Sequence, residues 1–154
     1  MKHDNTARPC DSHGTGSRRS PSERRRRRSE DPLVALHYQL TETRSRGEID
    51  AIVVADASGV VVAGAGSWPV CEELAAYAPL LVEGPWAVMS GEVSSRVASL
   101  RKDVEVRLLS VAGQDVLLCA RRQKRTAGSP AGEGMVRDLD QAAAGISRIL
   151  AAAA

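Results

Sequence analysis

The stretch Ile49 to Gly66, IDAIVVADASGVVVAGAG, decides how the rest of the chain is read. Two β-branched runs, Ile49 to Ala55 and Val60 to Gly64, flank the turn sequence Asp56-Ala57-Ser58-Gly59. Val and Ile suit a pleated, half-buried surface and an Asp/Gly turn reverses the chain, so the pair predicts an antiparallel hairpin. The first run is apolar at almost every position. A strand of that kind is covered on both faces and lies centrally in its sheet.

On the N-terminal side, Asp31-Pro32 joins a good N-cap to a proline at the first helical position, where no N–H is lost. Leu33, Leu36 and Leu40 recur there at spacings of three and four and predict a helix ended by Gly47. His37 falls on or beside that apolar face. With no partner near it in sequence, it reads as a packed histidine rather than a ligand or acid/base.

On the C-terminal side, the small-residue loop Gly64 to Ser67 leads into a second helix from Val70 to about Glu83, with Leu74, Tyr77, Ala78, Leu81 and Val82 on one side. Pro79 is a point of kinking, and Gly84 and Pro85 stop it. From Ser90 to Arg122 the pattern alternates: Val93, Val97 and Ser99; Val104, Val106 and Leu108; then Val116, Leu118 and Ala120 opposed to Leu117 and Cys119. Three more strands are expected, the last two joined through Gly113-Gln114-Asp115. Arg121 to Gly134 is rich in charge, Gly and Pro and reads as a loop. A last helix carries Met135, Leu139, Ala142, Ile146 and Ile149. Gly145 weakens it by about 1 kcal/mol relative to alanine, unless a neighbour packs where the side chain is missing.

The expected fold class is therefore α/β in the α+β sandwich sense: a five-stranded antiparallel sheet flanked by helices, in the order α-β-β-α-β-β-β-α. About 120 ordered residues bury roughly two-thirds of the surface they expose when unfolded, enough for one core. Domain boundaries follow composition, with residues 1–31 a tail and 32–154 the domain. The tail offers almost nothing to bury and is expected to be disordered. It carries a net charge of +4 and the rest of the chain −2, which together give the +2 of the whole. Basicity thus belongs to the tail, in the run Arg24, Arg25, Arg26, Arg27 and Arg28. Clustered guanidiniums of this kind are a candidate polyanion contact, because they release counterions on neutralising phosphates; the bland alternative is a solvated extension. No aromatic is interleaved to stack on bases.

The order of elements, and above all Ile49 to Gly66 with Asp56 and Gly59 at the turn, resembles the Roadblock/LC7 family, whose fold is profilin-like. Weaker similarity runs through Glu72-Glu73-Leu74-Ala75-Ala76, through VEVRLLSVAGQDVLLCA (residues 104–120) and through the last helix. The chain departs from the family pattern at Pro79 and in the length of the loop from Arg121 to Gly134. The resemblance implies a homo- or heterodimer joined through a helix and an edge strand. It also implies a regulatory or scaffold role toward a small Ras-like GTPase or a larger assembly, as in bacterial relatives partnered with such GTPases. Under that reading the chain is not an enzyme and needs no cofactor.

The residues themselves offer little chemistry. Gly64-Ala65-Gly66 follows a strand and precedes a helix, but Pro69 stands where a dinucleotide fingerprint needs its third glycine. No P-loop, HExxH or GxSxG is found. His3, Cys10 and His13 match no zinc spacing and lack a fourth ligand. Cys10, Cys71 and Cys119 form no CxxC pair and read as reduced thiols, Cys119 as a buried hydrophobe and Cys71 near a helix start. Reduced thiols, and the lack of an apolar run of ~20 residues, point to a cytoplasmic protein without a membrane span. Glu72-Glu73 reads as charge in a helix first turn. Trp68 and Trp86 bracket the second helix in loops and are candidate partner contacts, against the alternative that each covers an end of an aromatic-poor core. Two competing functions remain open: a nucleic-acid-associated protein acting through the tail, and a PAS- or GAF-like ligand sensor.

Overall fold

The computed structural model describes residues 31–46, 48–83, 91–124 and 133–154. The tail with Arg24 to Arg28, the proposed helix stop Gly47, Trp86 and most of the loop before Gly134 lie outside the described residues.

Helix α1 spans Pro32–Ser45, and Asp31 caps it as its sequence requires: Oδ1 accepts from the amides of Leu33 at 3.0 Å and Val34 at 3.4 Å. Leu36, Leu40 and Thr43 are buried, and the Thr43 hydroxyl donates to the Gln39 carbonyl at 2.8 Å. Two residues depart from the expected face. Leu33 is 57% exposed and His37 is exposed as well, so His37 is not a packed histidine. The two stand one turn apart, flanking a groove beside the sheet rather than the core beneath the helix.

Strands β1 (Ile49–Asp56) and β2 (Val61–Ala65) form the expected antiparallel hairpin. Val54 faces Ala63 and Ala55 faces Val61, so Val62 is the extra residue of a bulge. The turn is held by one carboxylate oxygen. Asp56 Oδ1 accepts from Ser58 N at 2.9 Å, Ser58 Oγ at 2.6 Å and Val60 N at 2.9 Å, while Gly59 turns the chain at φ +87°. The Ser58 hydroxyl first, then the amide of Val60, hold the Asp56 carboxyl below its ordinary value of 3.8. A group whose pKa is depressed on folding stabilises the fold above its unfolded value, and that contribution is lost as pH falls through the folded one. Asp56→Asn is accordingly expected to melt below the parent at neutral pH. Thermal denaturation at successive acid pH values under 3.8 should show the difference shrinking toward zero.

Helix α2 spans Trp68–Val82, starting earlier than expected because Pro69 sits in its first turn instead of in a loop. Its buried face is Cys71, Leu74, Ala75 and Ala78; Val82 is exposed. Pro79 lies inside the helix and brings no N–H to the Ala75 carbonyl, against which Gly59 of the hairpin turn packs.

The segment expected to be the third strand is a helix, α3 (Gly91–Leu100), so the sheet has four strands rather than five. The element order is α-β-β-α-α-β-β-α. Val93, Val97 and Leu100 are spaced by four and three, and Val97 and Leu100 are buried, which is a helical stripe.

Strands β3 (Val104–Val111) and β4 (Gln114–Arg122) close the sheet in the order β2-β1-β4-β3, every neighbour antiparallel. Their turn is Ala112-Gly113, both at positive φ, one residue earlier than expected. As expected, β1 is central, paired on both sides. Its alternate residues supply two cores: Ile52 and Val54 with Leu36, Leu40, Leu118, Leu139 and Ile146 under α1 and the last helix α4 (Glu133–Ala153), and Ala51, Val53 and Ala55 with Leu74, Leu117 and Cys119 under α2. Gly145 of α4 meets Gln39 of α1, where a Cβ would lie 2.9 Å from the Gln39 amide carbon. The atoms met are the far end of a flexible side chain, which can swing aside, so the approach does not by itself require a glycine there.

Candidate functional site

Both faces of the sheet are filled by side chains, so its two edges are the surfaces left for partners. Strand β3 is paired to β4 without a break from Val104 to Val111 and, among the described residues, has no strand on its other side. An edge of this kind presents backbone N–H and C=O groups to any incoming strand. Val106 packs against the α2-side core, but Leu108, two residues along on the same face, is 53% exposed. Arg107 ties the strand to α4 through Asp140 at 2.8 Å and also meets Glu105 at 3.3 Å. Its hydrogen bond to Asp140 pushes the guanidinium pKa up, so the charge is fixed.

The opposite edge is the short, bulged β2. Leu33, His37, Thr41 and Arg44 of α1 form one wall of a groove of about 520 Å³, with Val62 to Gly66 as its floor and Trp68 at its end. Trp68 is the first residue of α2 and 55% exposed, so it neither lies in a loop nor covers the core. Leu33 and Val62 join it only through the packing of α1 on β2. Neither was visible as a surface residue in the sequence, where both sit in apolar runs.

Below the groove the charges are compensated. Asp50 takes a fork from Arg121, with Nη2 at 2.7 Å and Nε at 3.0 Å, and Arg44 Nε donates to the Asp50 carbonyl at 2.7 Å. The hydrogen bond that Arg121 donates to Asp50 pushes the Arg121 pKa up. Glu73 pairs with Arg96 of α3. Glu72 and Glu73 therefore lie beyond the first turn of α2, whose early start moved them inward. Exposed pairs of this type contribute about 0–1 kcal/mol each.

The two described cysteines are buried. Burial pushes the Cys119 thiol up to about 12. Burial also raises Cys71, outweighing Arg44 and Arg121, although Cys71 stands in the first turn of α2. The thiolate is the reactive species, so neither is expected to react with a disulfide reagent at mildly alkaline pH until denaturant is added. Counting thiols before and after unfolding checks this. Among the described residues no cluster of His, Cys, Asp or Glu is placed to hold a metal, and no helix is long and apolar enough to cross a membrane. Gly66, at φ +128°, lies against the backbone of Asp50 and Ala51, a structural contact rather than a phosphate cradle.

No protein-family model matches the sequence, and no curated protein does. Among solved structures, Myxococcus xanthus MglB is similar at 14% identity, with 79% of this chain and 91% of that one covered and a TM-score of 0.46.

Proposed function

We propose that this chain is a non-enzymatic regulatory module of the Roadblock/LC7 type, which pairs with a second copy through β3 and acts on a small Ras-like GTPase. The observation that carries the reading is the β3 edge: eight residues without a bulge, open on one side among the described residues, with Leu108 exposed on it. Open unbulged edges invite strand pairing unless something covers them. Pairing through the β3 backbone, with Leu108 and the adjoining surface of α2, would begin the roughly 1,200–2,000 Å² that a stable interface buries. The remaining support is the resemblance of the Ile49 to Gly66 hairpin and the absence of a catalytic motif in the sequence.

Sedimentation velocity on the parent and on Leu108→Arg tests the self-association. The parent is expected to sediment as a dimer, and the variant to dissociate about tenfold more readily, equivalent to about 1.4 kcal/mol, with an unchanged circular dichroism spectrum. Calorimetric titration with a Ras-like GTPase from the source genome, loaded with GDP or with a non-hydrolysable GTP analogue, tests the partner. Preference for one nucleotide state is expected. Equal binding of both states, or none, contradicts the GTPase reading and leaves the dimer to be judged on its own data.

A further inference from the structure

We infer that the groove between α1 and β2 is a second docking surface, which accepts an extended segment of a partner protein, alternating apolar and acidic side chains, as a strand added to β2. It lies at the other edge of the sheet from β3 and does not depend on the function proposed above.

Three features select that occupant. Among the described residues strand β2 has a strand neighbour only on its β1 side, and Ala63 to Gly66 have side chains too small to cover the outer backbone. An incoming strand is the partner that satisfies a row of peptide groups; a helix leaves them unpaired. Beside the backbone stand exposed apolar groups, Leu33, Trp68 and Val62, the last 37% exposed because the bulge displaces it from the ladder. They are the surfaces for apolar side chains of the incoming segment. The polar lining is His37, Thr41 and Arg44, with no carboxylate among the described residues of the groove wall or floor. Among the described residues Arg44 forms no ion pair, since the Asp50 carboxylate is taken by Arg121 and only the Asp50 carbonyl is used by Arg44. A guanidinium at the rim of an apolar groove without an acid selects a carboxylate on the incoming chain.

The same features argue against a second copy. Two-fold pairing there would set each copy's His37 and Arg44 against the other's.

Selection of random linear peptides displayed on phage against the full chain tests the inference. The enriched peptides are expected to alternate apolar residues with Asp or Glu, and synthetic versions to shift the amide resonances of Ala63 to Gly66. Affinity should fall about tenfold in Val62→Lys and in Arg44→Glu, the first placed on an exposed bulge so that folding is not at stake. Enrichment of basic or uncharged peptides, binding indifferent to Val62→Lys, or no enrichment at all would overturn it. So would a change in sedimentation of the peptide-free chain on Val62→Lys, because a second copy would then be the occupant.

Discussion

Gly66→Val is expected to lose about 3 kcal/mol or more of folding free energy, read as a lower urea midpoint with an unchanged slope. At φ +128° the residue sits where side chains are strained, at a cost on the order of 1–3 kcal/mol. The space is occupied too. A Cβ would stand 2.8 Å from the Asp50 carbonyl oxygen and 2.9 Å from the Ala51 Cα, and both atoms are backbone of the central strand. Relief therefore requires β1 itself to move, with the two cores on its faces. Against a total stability of about 5–15 kcal/mol, such a loss leaves a large unfolded fraction at physiological temperature. A variant within about 0.5 kcal/mol of the parent would mean that the end of β2 does not cross β1 as closely as described.

Ile52→Ala is expected to cost about 2–5 kcal/mol. Ile52 is fully buried, sits in the middle of the strand that pairs on both sides, and contributes to the core between α1, α4 and the sheet. Truncation leaves a cavity bounded by elements that cannot collapse independently, which places the cost in the upper part of the range. Val62→Ala, on the bulge of the neighbouring strand, trims a partly exposed side chain outside both cores and should cost less than about 1 kcal/mol. Comparable losses at the two positions would contradict the central placement of β1.

Where local chemistry decides structure, the sequence could be read directly. Asp31-Pro32 starts a helix, Asp56 to Gly59 turns a hairpin, and the alternation from Val116 to Ala120 divides β4 between two cores. Where two periods coincide, it could not. Val93 and Val97 are four apart, a spacing that fits both a strand face and a helix face, and only Leu100 beyond them favours the helix. The missing fifth strand follows from that ambiguity. Pro69 precedes the expected start at Val70, yet a proline in the first turn loses no helical hydrogen bond, and the helix begins at Trp68.

The candidate surfaces were less legible than the fold. Trp68 was named, but its neighbours in the groove, Leu33, Val62 and Arg44, come from α1 and β2 and meet only once α1 has packed. Leu108 lies in an alternating strand whose earlier members are at least half-buried, and nothing local marks where the covering helix ends. Trp86 and Arg24 to Arg28 lie outside the described residues, so their roles as partner and polyanion contacts stay proposals. For the tail, salt-dependent binding to duplex nucleic acid that vanishes on removing residues 1–31 is the relevant test.

Self-association as proposed requires β3 to pair with a second copy. Amide hydrogen exchange of the full chain, followed across a range of protein concentrations, tests this most directly. Alternate amides between Val104 and Val111 are expected to become more protected as concentration rises, while those of β2 stay unchanged. Exchange along β3 that is the same at every concentration would contradict the claim.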